Sequence, residues 1–538
     1  MIPRLQTIAA ALLLAAPAAA QSPPGYDDLV VLFEEWRAFQ RPRFVEGVPD
    51  YSAAAMAAQH AELAAWRARL DAIERSQWPV AEQIDWHLVR AEMNGLDFDH
   101  RVLRPWERMP SFYAVVVEDQ SDTPLKEGPV IAGAIELWRL SFPLDAEGME
   151  VVRTGLRAAP ALLAAARENL GGDARDLWRL GIRSARDQVS ALERLGTALS
   201  GHHPDLVPDA EAARDAAVSF ADWLEERLPE KTGPSGVGAE SYDWSLRNVH
   251  LVPYTWQDEL RLMERELARS RAHLALEEHR NGALPPLEPA ATPEEWERRA
   301  GEAITRFLAF LGEREVMTMA DWMEPALRER VAGYLPPEER HFFAQVDLRE
   351  PLLMRCHQVH WFDTARIARE PHPSPIRRVP LLYNIWDSRA EGLATALEEM
   401  MTSAGLLDDT PHGRELTWIM IAQRAARAIA GLRLHANEWN LDEAIRFAAE
   451  QTPRGWLKPD GALVWFEQQL YLEQPGYGSS YLTGKALIES LLAERAHRLG
   501  PDFTLRRFFD ELYASGVIPV SLIRWEMTGQ RDEILPEP

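Results

Sequence analysis

Apolar residues recur at three- and four-residue steps along most of the chain. "YSAAAMAAQHAELAAWRARLDAIE" (51–74) and "PVAEQIDWHLVRAEMNGLDFDHRVL" (79–103) show the pattern, which lines one face of a helix. It returns in "PALLAAARENL" (160–170), "ARDLWRLGIRSARDQVSALERLGTAL" (174–199) and "DAEAARDAAVSFADWLEERL" (209–228). "TPEEWERRAGEAITRFLAFLGERE" (292–315) opens with Thr292 three residues before Glu295, a capping-box signature. "ALVWFEQQLYL" (462–472) is apolar enough for strand or helix, and a helix is expected. Alternating strand patterns are few.

Three stretches break the periodicity. Residues 228–248, "LPEKTGPSGVGAESYDWSLRN", read as a surface loop. Residues 369–380, "REPHPSPIRRVP", carry four prolines and cannot be helix interior. Residues 472–485, "LEQPGYGSSYLTGK", read as a Gly-rich turn between two helical runs. The expected fold is predominantly all-α: a large multi-helix body with an N-terminal helical half (21–240) and a C-terminal helical half (241–538).

Composition narrows the class. A chain of 538 residues with 46% hydrophobic and 26% charged residues is globular and long enough to bury a large core. The net charge of −25 argues against a nucleic-acid partner, since phosphate is bound by clustered Lys and Arg, and against docking on anionic lipid. Residues 1–20, "MIPRLQTIAAALLLAAPAAA", show a short basic start at Arg4, an apolar run and an A-x-A end. That is a cleavable signal peptide, too short to be a membrane anchor, and it predicts a periplasmic or secreted protein. Cys356 is the only cysteine, so no intramolecular disulfide forms.

The candidate chemistry lies in two stretches, "CHQVHWFDTAR" (356–366) and "WDSRAEGLATALEEMM" (386–401). A zinc hydrolase needs about three protein ligands, an open position for water and a carboxylate base. His357 and His360 stand three apart, and on one helix they share a face; Asp363 continues the stripe. Glu391 offers a third metal ligand. Glu398, two turns on, is a candidate base or a partner that orients a histidine; Asp363 and Glu399 are other candidate bases. Gln358 cannot be one, because an amide has no useful proton affinity. Arg377 and Arg378 are candidates to clamp a substrate carboxylate. There is no G-x-S-x-G, no phosphate-binding glycine loop and no dinucleotide fingerprint.

The order of five segments resembles the bacterial "domain of unknown function 885" family, which is similar to α-helical zinc metallopeptidases. "IDWHLVRAEMNGLDFDHRVLRPWERMPSFY" and "AESYDWSLRN" resemble its N-terminal segments. "RAEGLATALEEM" resembles its E-G-W-A-L-Y-A-E motif, with Glu391 and Glu398 on the two glutamates. "RAARAIAGLRLHANEWNLDEAIRFAAEQTP" places Arg424 and His435, and "PGYGSSYLTGKALI" places Tyr481 and Gly484. The family's H-E-x-x-P-G-H motif is altered here: His357 takes the first histidine, Gln358 stands in place of the glutamate, and P-G-H is missing.

The resemblance implies a peptidase-like helical body with a central cleft, a zinc ion as cofactor, and a peptide or other small amide as substrate. The expected metal ligands are His357, His360 and Glu391. The expected catalytic residues are Glu398, Tyr481 as a donor to an oxyanion, and His435. For His435 the competing role is a cap on a helix C-terminus. Gln358 keeps open a second expectation, a non-catalytic peptide- or ligand-binding protein on the same fold.

Overall fold

The computed structural model describes residues 25–532 and residue 535; the signal peptide read in residues 1–20 lies outside them. The described chain is predominantly α-helical, as the periodicity predicts. In the N-terminal half, α1 (Ala146–Asn169), α2 (Arg175–His202) and α3 (Val207–Arg227) pack together, with α3 against both others. Next comes α4 (Trp256–Asn281), started by a capping box in which Thr255 and Asp258 satisfy each other's backbone N–H, a helix-start device.

The C-terminal half carries α5 (Pro351–His357), α6 (His360–Arg369), α7 (Asp387–Ser403), α8 (Pro411–His435), α9 (Ala462–Glu473) and α10 (Tyr477–Leu499). Helix α8 is buried at every position from Glu415 to Leu432. A helix with no solvent face belongs inside a fold, and α8 is enclosed by α4, α7, α9 and α10. Helices α7 and α10 pack extensively against each other, and glycine makes their approach close. A Cβ on Gly484 would lie 2.0 Å from the Ser388 carbonyl oxygen, and one on Gly392 would lie 2.5 Å from the Gly484 Cα. Buried apolar residues of both halves belong to one continuous cluster, from Tyr26 to Leu535.

Among the described residues, four short strands form two pairs. β1 (Phe44–Val45) and β2 (Val48–Pro49) make an antiparallel turn. β3 (Val116–Val117) and β4 (Ile135–Glu136) are parallel, with Val116 opposite Ile135. The second pair ties together the two ends of the 118–134 segment, which closes into a loop lying over the C-terminal helices.

Several local expectations need correction. The 228–248 stretch is a loop only in its first part: Ala239–Ser245 is helical and buries Tyr242 and Ser245. The turn in 472–485 is confined to the residues before Tyr477, so Tyr481 and Gly484 are helical. The 369–380 stretch is non-helical from Glu370 onward, as its prolines require, and residues 462–473 are helix. Thr292 caps its helix by accepting from the Glu295 N–H, but the Glu295 carboxylate accepts from the Ala291 N–H instead of closing a box.

Candidate metal centre

His357 and His360 do not share a helix. Helix α5 ends at His357, Gln358 and Val359 make a turn, and α6 begins at His360. The turn brings the two imidazoles edge to face, with ring centroids 5.0 Å apart.

Each imidazole rests on a glutamate of α7. His357 Nδ1 lies 3.1 Å from Glu398 Oε1 and 3.2 Å from Arg424 Nη2. Arg424 in turn donates both Nη groups to Glu398, each at 2.7 Å, and both charged side chains are fully buried. Burial pushes the Glu398 carboxyl up, but the Arg424 charge beside it wins, and the group lies below its usual range. Burial also pushes His357 down, reinforced by Arg424 against the pull of Glu398, so that its neutral form is favoured. Nδ1 thus faces an acceptor, Glu398, and a donor, Arg424; a hydrogen on Nδ1 serves Glu398 and leaves the Nε2 lone pair free, whereas a hydrogen on Nε2 lets Nδ1 accept from Arg424.

His360 Nε2 lies 3.2 Å from Glu391 Oε2, and Glu391 Oε1 accepts a hydrogen bond from the Tyr477 hydroxyl. Burial alone would lower His360, yet the charge of Glu391 outweighs it, aided by Asp122, and raises the imidazole to about 9. Glu391 moves the other way: burial is overcome by His360, and the carboxyl falls to about 2. The proton of this pair therefore sits on the imidazole, and a metal ion taking His360 must displace it.

The third member comes from the 118–134 loop. One ligand atom each from Asp122, His357 and His360 lie within 4.8 Å of one another, close enough for one ion to lie among them. Asp122 takes the place expected of Glu391, which stands behind His360 instead. Two imidazoles and a carboxylate are a donor set of the kind that zinc and other divalent transition metals accept. From the same loop, Glu127 reaches to 3.2 Å from the Tyr477 hydroxyl.

The other expected residues divide. Tyr481 belongs to the site: its ring lies parallel to that of His357, 6.4 Å away, and its hydroxyl is 3.5 Å from that of Tyr477. His435 does not. It sits three turns of α8 beyond Arg424, about 16 Å along the axis at the helical rise, and its Nε2 meets the Tyr471 carbonyl at 2.8 Å. Asp363 is held by both Nη groups of Arg389 at 3.1 Å, and Glu399 by Arg269 and Lys485. Arg377 is buried and tied to Asp85 and Glu526, which takes its guanidinium away from a substrate, while exposed Arg378 bonds to the Pro373 carbonyl. His360, Glu391 and Glu398 are closed off from solvent, and His357 retains 15% side-chain exposure. Of the three donors, Asp122 and His357 are half-buried and His360 is buried.

The reading missed Asp122, Glu127 and Tyr477. Had helix α10 been extended back to residue 477, the four-residue spacing of Tyr477 and Tyr481 would have put both on one face. Nothing periodic marks Asp122 or Glu127.

The class is that of predominantly α-helical proteins. Within it, this chain belongs to the family described as "Bacterial protein of unknown function (DUF885)", whose profile matches residues 42–351 and 360–527. The unmatched residues between these spans include His357 and Gln358. Two solved structures share the fold. One is titled a "putative lipoprotein of unknown function" from Shewanella oneidensis, with 16% identity, a TM-score of 0.66, and coverage of 93% of this chain and 97% of that one. The other is titled a "putative lipoprotein" from Colwellia psychrerythraea, with 15% identity, a TM-score of 0.64, and coverage of 94% and 99%. No curated protein matches the chain.

Proposed function

We propose that this is an exported, zinc-dependent hydrolase of peptides or other small amides. The observation that carries the reading is the convergence of Asp122, His357 and His360, with Glu391 and Glu398 behind the two histidines. Carboxylates in that second position orient imidazole ligands and raise their basicity. Export is supported by the signal peptide read in residues 1–20 and by the lipoprotein titles of the two similar structures. Among the described residues, no helix is long and apolar enough to cross a membrane.

Zinc bound there would supply Lewis acidity and an acidified water. The chain supplies the rest. Glu398, Glu399 and Asp363 are each paired with a guanidinium and Glu391 with the His360 imidazole, so Glu391 and Glu398 serve by orienting the two histidines. Tyr481 is the hydroxyl available to a developing oxyanion.

Elemental analysis of the purified protein tests the reading. About one zinc per chain is expected, as one such ligand set holds one ion, and the ion should be lost in His357→Ala and in Asp122→Ala. No zinc after incubation with excess overturns it. A second reading then stands, a ligand-binding protein on a decayed site, favoured by Gln358 at the position of the usual base and by the locking of Glu398 to Arg424.

A further inference from the structure

The loop that carries Asp122 is gripped by an arginine from far along the chain. Arg330 lies just beyond the short helix Met323–Arg328. Its Nη2 donates to Gln120 Oε1, two residues before Asp122. Its guanidinium lies over the ring of Trp361, 4.2 Å from the centroid, and Trp361 directly follows His360. The backbone of Arg330 is held from the same stretch, since Gln358 Nε2 donates to the Arg330 carbonyl oxygen at 3.4 Å. Arg330 thus joins the turn between the two histidines to the part of the loop that brings in the third donor.

We propose that Arg330 is a positioning residue, a latch that seats the 118–134 loop and so sets where Asp122 stands relative to His357 and His360. The β3–β4 pair fixes the two ends of the loop, and Asp122 lies inside it, where the ladder does not place it. On the far side of Asp122 the loop is held by Glu127 at Tyr477, 3.2 Å, and by the Ala132 N–H at the Tyr51 hydroxyl, 2.9 Å. On the near side the hold is Arg330 at Gln120.

The chemistry of the latch suits a segment that must also open. Arg424, Arg389 and Arg269 each answer a carboxylate, whereas Arg330 meets a neutral amide and an aromatic face. Both contacts are modest beside a buried ion pair, so they close the loop without locking it. The latch also gives Gln358 a use. An amide can donate to the Arg330 carbonyl, whereas a glutamate there would set a carboxylate against it, acceptor against acceptor. The side chain that cannot be a base is the one that can anchor Arg330.

The consequence for Asp122 rests on the zinc reading, while the latch does not. Hydrogen–deuterium exchange on zinc-free protein therefore reads the latch by itself. In Arg330→Met the peptide spanning residues 118–125 should exchange roughly tenfold faster than in wild type, the change expected when a hydrogen bond and a cation–π contact are lost together. Peptides from α8 and α10 should be unchanged. Gln120→Ala breaks the same contact from the loop side without touching the Arg330 backbone. It should act in the same direction, and Arg330→Met should add little on that background. Unchanged exchange of residues 118–125 in both single variants, or effects that simply add, overturns the latch. On zinc-loaded protein, bound zinc should be replaced by isotopically labelled zinc about tenfold faster in Arg330→Met, in step with the loosened loop. Equal replacement rates beside a loosened loop overturn the positioning of Asp122. A protein that takes up no zinc refutes the hydrolase reading, and the exchange result still decides the latch.

Discussion

Glu398 and Arg424 show how tightly single residues constrain this site. Both are fully buried, and each answers the other's charge. Arg424→Met should cost about 3–5 kcal/mol, because it strands a carboxylate inside the protein. Pairing it with Glu398→Leu should recover most of that loss, and urea unfolding of the two single variants and the double variant measures the coupling. Glu391 has a different standing. Because it backs His360 and does not converge with the three donors, Glu391→Ala should weaken zinc affinity roughly 10–100-fold, whereas Asp122→Ala and His357→Ala should abolish stoichiometric binding. Competition with a chelating dye separates the two results; complete loss in Glu391→Ala would return it to the ligand set. The histidines and the two glutamates were legible because they sit on or beside periodic helices with an apolar setting. Asp122 and Glu127 were not, since only closure of a loop brings them in, and loop closure leaves no periodic trace in a sequence.

At the scale of the element, the crossing of α7 and α10 sets the distances in the site. Gly484→Ala would drive a methyl group into the Ser388 carbonyl. Overpacking of that kind costs roughly 1–3 kcal/mol, to be read as a lower melting temperature. It should also loosen zinc binding, because Glu391 and Tyr477 lie on the two helices that are forced apart. Gly484 was visible in the sequence, but its reason was not: a helix periodicity does not say which partner comes within backbone contact. The opposite flank of α10 carries a second prediction. Glu259 on α4 accepts hydrogen bonds from Tyr242 and Thr483, and burial, which outweighs those bonds, raises its carboxyl to about 7. The folded protein thus holds a proton that the unfolded chain has released between about pH 4.5 and 7. Glu259 therefore lowers stability progressively as pH rises through that window. Glu259→Gln should gain on wild type by up to about 3 kcal/mol between pH 5 and pH 8. A stability difference that does not change with pH would show that Glu259 titrates normally.

For the whole molecule, the helical class was readable from periodicity alone, while the assembly of the halves was not. A split at residue 240 describes the order of the chain; the apolar cluster runs through both sides of it, and Asp85, Arg377 and Glu526 tie distant segments together. Proteolytic cleavage within the exposed part of the 228–238 stretch should therefore leave two fragments that co-elute in gel filtration. Fragments that separate without denaturant would show that each half folds on its own.

The loop from 118 to 134, fastened at both ends by the β3–β4 pair and carrying Asp122, leads to a prediction about rate. An ion that must wait for this segment to swing aside cannot load faster than the segment opens. Uptake followed in a stopped-flow instrument should level off as zinc concentration rises, and removal by excess chelator should proceed at a rate that does not depend on the chelator.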